Sequence, residues 1–105
     1  MPFPKIIVYP QAKQDIAEII KYLAKEASPD NADEFLVQLN DSLELLRHQP
    51  SLGVLRSYKS PLLQNARMKP IKGFPKHLIF YQDKTDTIHI IRIIHSSRDI
   101  DDLFA

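Results

Sequence analysis

His77-Leu78-Ile79-Phe80-Tyr81-Gln82 and Thr87-Ile88-His89-Ile90-Ile91-Arg92-Ile93-Ile94 read as two neighbouring strands. Both runs are rich in β-branched and aromatic residues, and Asp83-Lys84-Thr85-Asp86 supplies the polar link of a hairpin. Their almost unbroken apolar character predicts strands covered on at least part of both faces. Upstream, Ala66-Arg67-Met68-Lys69-Pro70 alternates, which predicts a short strand carrying Arg67 and Lys69 on one face. Pro70 places that strand at an edge or ends it. Residues 51–65 show no period and contain Gly53, Ser57, Ser60 and Pro61, so they read as a connecting loop.

The other half of the chain changes period. Lys5-Ile6-Ile7-Val8-Tyr9, closed by Pro10, reads as a first strand. From Gln11 onward Ala12, Ile16, Ile19, Ile20 and Leu23 fall at helical spacing, leaving Lys13, Glu18, Lys21 and Lys25 for solvent. Ser28 can cap a second helix and Pro29 fits its first position. Ala32, Phe35, Leu36, Leu39, Leu43 and Leu46 form its stripe, and Pro50 stops it. So short a link packs the helices antiparallel. Residues 99–105 are expected to form one acidic helical turn that packs Leu103 and Phe104. The predicted class is α+β in the order β-α-α-β-β-β, an antiparallel helix hairpin on a small, largely antiparallel sheet.

At 105 residues the chain makes a single domain, residues 1–105, with one core and little spare interior. A deep cofactor pocket is not expected. The absence of cysteine excludes disulfides and thiolate metal sites and suits a reducing compartment. No apolar run is long enough to span a membrane, and Met1-Pro2-Phe3-Pro4-Lys5 does not open like a signal peptide, so a cytoplasmic location is expected.

Net charge is +1, but the halves differ. Residues 1–50 hold five Lys/Arg against eight Asp/Glu, giving −3, and residues 51–105 hold nine against five, giving +4. Arg56, Lys59, Arg67, Lys69, Lys72 and Lys76 follow one another with no acid between them. Such a surface attracts polyanions or an acidic partner chain.

Signals for chemistry are fewer. His48, His77, His89 and His95 lie at no metal-ligand spacing, so no metal or cofactor is expected. With only Gly53 and Gly73 there is no glycine-rich phosphate loop, and no nucleophile elbow is present. Arg67, Lys69, Arg92, His95 and Arg98 remain. If brought together they would bind phosphate and move protons, as RNA cleavage requires; a solvated basic face with an Arg98–Asp99 pair is the plainer reading. On a regular strand Arg92 and His95 point to opposite faces, so they share a site only if the strand bends or ends. Arg92 also interrupts an isoleucine face and needs a carboxylate, a carbonyl or an exposed groove.

Several of these residues recur as a set: Val8-Tyr9-Pro10-x-Ala12, Asp15-Ile16-x-Glu18-Ile19, Pro50-x-x-Gly53, Arg67-Met68-x-Pro70-Ile71-x-Gly73-Phe74 and Ile90-Ile91-Arg92-Ile93-Ile94-His95-x-x-Arg98-Asp99. The set resembles the ParE branch of the RelE/ParE toxins of type II toxin–antitoxin modules over nearly the whole chain. That resemblance implies a toxin neutralised by a cognate antitoxin whose disordered segment orders on binding. It implies DNA gyrase as the target, and no enzymatic activity of its own. The alternative within the superfamily is a ribosome-dependent mRNA endonuclease using Arg67, Arg92, His95 and Arg98; a non-toxic antitoxin-binding module is a third. No Tyr or His follows His95, so a terminal acid/base is missing. For the first reading the expected contact residues are Arg56, Lys59, Arg67, Lys69, Lys72, Lys76, Arg92 and Arg98. A homodimer through the exposed edge near Met68 is a further expectation.

Overall fold

The computed structural model describes residues 3–103. Ser28 starts the second helix as its sequence suggests, its Oγ accepting the Asn31 N–H at 3.1 Å with Pro29 in the first turn. That helix, α2 (Pro29–His48), folds back on α1 (Pro10–Glu26). Around them lie strands β1 (Lys5–Val8), β2 (Val54–Leu55), β3 (Arg67–Ile71), β4 (Phe74–Asp83) and β5 (Thr87–His95). A 3₁₀ turn at Pro61–Leu63 and a short helix α3 (Ile100–Leu103) complete the elements. Phe104, expected to pack with the tail, lies outside the described residues.

The sheet runs in the order β1-β5-β4-β3-β2. β1 is parallel to β5, and every other neighbour is antiparallel. One face receives the helix hairpin: Phe35, Leu39 and Leu46 of α2 pack with Ile79, Tyr81, Ile88 and Ile90. The opposite face is also covered. Phe80, Ile91 and Ile94 meet Leu63, Ala66 and Tyr58 from the long connection, and Ile100 and Leu103 from α3. Burial from both sides is why β4 and β5 lack polar alternation. Each such large side chain contributes about 1.5–3 kcal/mol when fully buried.

Two expectations change. Residues 51–65 are not all loop, because Val54–Leu55 forms β2 and pairs with Met68 and Arg67. The edge near Met68 is therefore covered, which removes it as an exposed dimerisation edge. Two exposed residues between Gly53 and a polar loop carry no periodic signal, so the strand exists only because β3 offers it a partner. The other change is at the hairpin joining β3 and β4. β4 begins at Phe74, reached through Lys72-Gly73, where Gly73 adopts φ +81°, a region glycine enters without strain.

Candidate functional site

β1 ends at Val8 while β5 continues to His95, so the last rungs of β5 are paired with β4 alone and have no strand on the β1 side. α1 takes that place with one side chain. Asp15 is 7% exposed and accepts from Arg92 Nε at 2.7 Å, from an Arg92 Nη2 at 3.0 Å and from the Ile93 N–H at 3.0 Å. Arg92, 16% exposed, thus meets a helix-borne acid. Removing either charge from water is costly, and the three short bonds to one carboxylate offset it.

The strand is not regular here. Phe80 pairs with Arg92 but Tyr81 pairs with Ile90, so Ile91 is an extra residue on β5. This bulge resets the alternation. Ile88 and Ile90 face the helices, and beyond the bulge Ile93 does too, whereas Ile91 and Ile94 face the other core. The bulge lies before both Arg92 and His95 and leaves their parity opposite. Yet Arg92, His95 and Arg98 line one groove of about 650 Å³ between α1 and the end of the sheet, because Arg92 turns to Asp15 on the side of β5 that β1 has left.

His95 is held by the turn that follows it. Its Nδ1 accepts the Ser97 N–H at 3.1 Å and lies 2.7 Å from the Ser97 hydroxyl, while its carbonyl accepts the Arg98 N–H at 3.0 Å. An Nδ1 that accepts a backbone N–H leaves the ring proton on Nε2. Across the ladder His77 stacks edge-on against His95, at 5.2 Å between centroids, and against Phe35 at 5.5 Å. Burial, and then the neighbouring His95, push the His77 pKa below its ordinary 6.5. The groove thus combines two imidazoles with Arg98, which forms no ion pair among the described residues; the Arg98–Asp99 pair is not made. Asp99 instead accepts the Asp102 N–H, and Asp101 accepts the Lys59 N–H at 3.0 Å, tying α3 to the long connection.

Arg67 stands elsewhere. It pairs with Tyr81 on the far side of β4, and its Nη1 donates to the carbonyls of Gly53 at 2.8 Å and Ser51 at 3.2 Å. The register puts it level with Ile90, roughly 15 Å of strand away from His95. The four residues of the nuclease alternative therefore split into a group of three and a separate Arg67. Beside Arg67, Tyr81 donates to the Pro50 carbonyl at 2.7 Å and accepts the Gly53 N–H at 2.8 Å. Arg67 and Tyr81 together pin the 50–53 turn. Lys69 lies on β3, Lys72 in the hairpin turn, Lys76 on β4, and Arg56 and Lys59 on the connection beyond β2. Among the described residues none of these makes an ion pair, and no Asp or Glu occurs from Leu45 to Gln82. No group of three or more His, Asp or Glu among the described residues is placed to hold a metal ion. No described helix is long and apolar enough to cross a membrane.

The family model for the ParE toxin of type II toxin–antitoxin systems matches residues 6–100. This chain belongs to the ParE toxin family. The match runs from β1 to the start of α3 and so includes Asp15, Arg67 and every groove residue except Leu103. A solved chain titled as the chromosomal ParDE TA system from P. aeruginosa shares the fold at a TM-score of 0.70 and 16% identity. The alignment covers 89% of this ParE-family chain and 96% of that one. Among curated proteins none matches significantly. As a ParE-family member the chain is a type II toxin, and the α+β layout read from its sequence is the layout it has.

Asp15 is the groove residue that sequence reading missed. It falls three residues after Ala12 and four before Ile19, on the stripe that faces the sheet. An acid in that position asks for a buried cation, and Arg92 on the isoleucine strand was its match.

Proposed function

We propose that this ParE-family toxin poisons DNA gyrase, so that cleaved DNA complexes accumulate, and is held inactive by a cognate antitoxin. One observation carries the choice of target: the residues a nuclease would need are not assembled. Arg67 spends its guanidinium on the carbonyls of Ser51 and Gly53, far from His95. Arg92 is committed to Asp15. The ParDE name of the structural relative and the family match support an antitoxin partner for this chain. The acid-free stretch from Leu45 to Gln82 supports recruitment of an acidic segment by long-range attraction.

The second reading, an mRNA endonuclease, draws on Arg92, His95 and Arg98 sharing one groove. Inducing the chain alone and following labelled thymidine and labelled amino acid separates the two. Early loss of DNA synthesis, with more linear DNA when the protein meets gyrase, DNA and ATP, is the expected result. An immediate stop in translation overturns it, and unaffected growth points to a non-toxic binding module.

A further inference from the structure

At β2 the sheet ends on an open, apolar edge. Arg56 donates its N–H to the Ala66 carbonyl at 3.1 Å, and the register sets Val54 against Met68 and Leu55 against Arg67. Val54 and Arg56 therefore turn their backbone groups toward β3, and Leu55 turns its N–H and its carbonyl outward. Among the described residues neither outward group has a hydrogen-bond partner. The side chains beside them stand in water: Leu52 is 42% exposed, Val54 57% and Leu55 56%. Sheets ordinarily blunt such an edge with charge, proline or a covering segment. The adjoining part of this edge is blunted in that way. Beyond the start of β2, β3 turns Pro70 outward, where it has no N–H, and the Pro70 carbonyl takes the Lys69 ammonium at 3.3 Å.

The open part is surrounded by positive charge. Arg56 follows Leu55 in the chain, Arg67 stands opposite Leu55 in the ladder, and Lys69 is the next residue on that face of β3. None of the three forms an ion pair among the described residues, and no Asp or Glu occurs between Leu45 and Gln82. Asp101 meets the connection further along, at the Lys59 N–H. A second copy of this chain would set the same cations against these, and like charges facing each other across a ladder destabilise it. A polynucleotide would satisfy the cations but leave Val54, Leu55 and the outward peptide groups unmatched. A polypeptide carrying both carboxylates and apolar side chains matches the cations, the apolar surface and the peptide groups together.

We propose that the toxin grips its target protein here, by adding an extended, acidic and apolar segment of gyrase to the sheet at β2. This rests on the gyrase reading above. One residue of the segment exchanges backbone hydrogen bonds with Leu55. Apolar side chains cover Val54 on one face of the sheet and Leu55 on the other, and carboxylates toward the two ends meet Arg56 and Lys69. Pro70 and Gly53 stop the pairing at one end, because the Gly53 N–H and carbonyl are already taken by Tyr81 and Arg67. The paired stretch is therefore short, and side-chain burial and charge supply most of the hold.

The test mixes the whole chain with gyrase holoenzyme, supercoiled DNA and ATP, and reads linear DNA against toxin concentration. Leu55→Glu and Arg56→Glu each raise the concentration for half-maximal cleavage by about tenfold or more, while Leu55→Ile and Lys25→Glu stay within about twofold. All these positions are exposed, so melting temperatures should hold and separate lost contact from lost folding. Hydrogen exchange of the wild-type peptide 52–57 slows when gyrase is added, and this measurement decides alone if Leu55→Glu melts early. Wild-type cleavage with Leu55→Glu equally potent, or with exchange at 52–57 unchanged, overturns the edge and leaves the gyrase reading intact. Binding to DNA alone that Arg56→Glu weakens and Leu55→Glu spares puts a polynucleotide on this edge and overturns the proposal. A dimer of the free chain that protects 52–57 overturns it too. No linear DNA from the wild type removes the gyrase reading, and the edge proposal with it.

Discussion

Asp15 and Arg92 join the two layers of the molecule: a carboxylate on α1 receives a guanidinium from β5 through bonds of 2.7 and 3.0 Å, and the adjoining Ile93 N–H at 3.0 Å. The pair does for the end of β5 what β1 does for its beginning, giving the strand a neighbour. Asp15→Ala removes these bonds and leaves the Ile93 N–H without its acceptor. A loss of roughly 3 kcal/mol in urea unfolding is expected. Asp15→Leu combined with Arg92→Met is expected to cost far less, because a shape-matched apolar pair carries no desolvation penalty.

Gly53 allows Tyr81 to approach the 50–53 turn. A Cβ there would lie 2.6 Å from the Tyr81 hydroxyl and 2.7 Å from its ring. Gly53→Ala forces the ring or the turn to move and is expected to lower stability by about 1–3 kcal/mol, read as a lower melting temperature.

Truncation in the main core gives a control for every toxicity assay. Phe35 is fully buried, and Phe35→Ala is expected to cost about 3–5 kcal/mol. If such a variant no longer arrests growth, circular dichroism should show that it has unfolded, and the result then says nothing about the target.

Charge reversal on the cationic side separates binding from folding. Lys72 and Lys76 are exposed and make no ion pair among the described residues. Lys72→Glu and Lys76→Glu are expected to change stability by less than about 0.5 kcal/mol. Both should slow association with the antitoxin and flatten its salt dependence in stopped-flow mixing.

His77 makes the fold sensitive to acid. Its pKa in the folded chain is pushed below the ordinary 6.5, chiefly by burial, so the unfolded chain binds the proton more readily. Its contribution is present above 6.5 and is lost as pH falls through the folded value. Denaturant midpoints measured from pH 7.5 downward should fall below 6.5, and His77→Gln should reduce that fall.

The helix hairpin was legible because several local signals agreed. The stripes, the Ser28 cap and the Pro29 and Pro50 punctuation all marked the same boundaries. β2 was not legible, since two exposed residues owe their conformation to a partner strand rather than to their own pattern. The bulge at Ile91 was hidden by the isoleucines around it, which suit either face. His95 and Arg98 could be picked out as a candidate site, and Arg92 as a charge in need of a partner. That Arg67 serves backbone carbonyls has no sequence signature, because any loop supplies carbonyls.

The pairing of β1 with β5 sets the order in which this toxin can come into being. Lys5 lies beside Thr87, so the first strand waits for the last before it has a place in the sheet. Closing so long a span makes folding late and cooperative. A chain that stops before residue 87 has no β5 for β1 to join and no Arg92 for Asp15 to hold. The toxin's sheet closes only once β5 has been made.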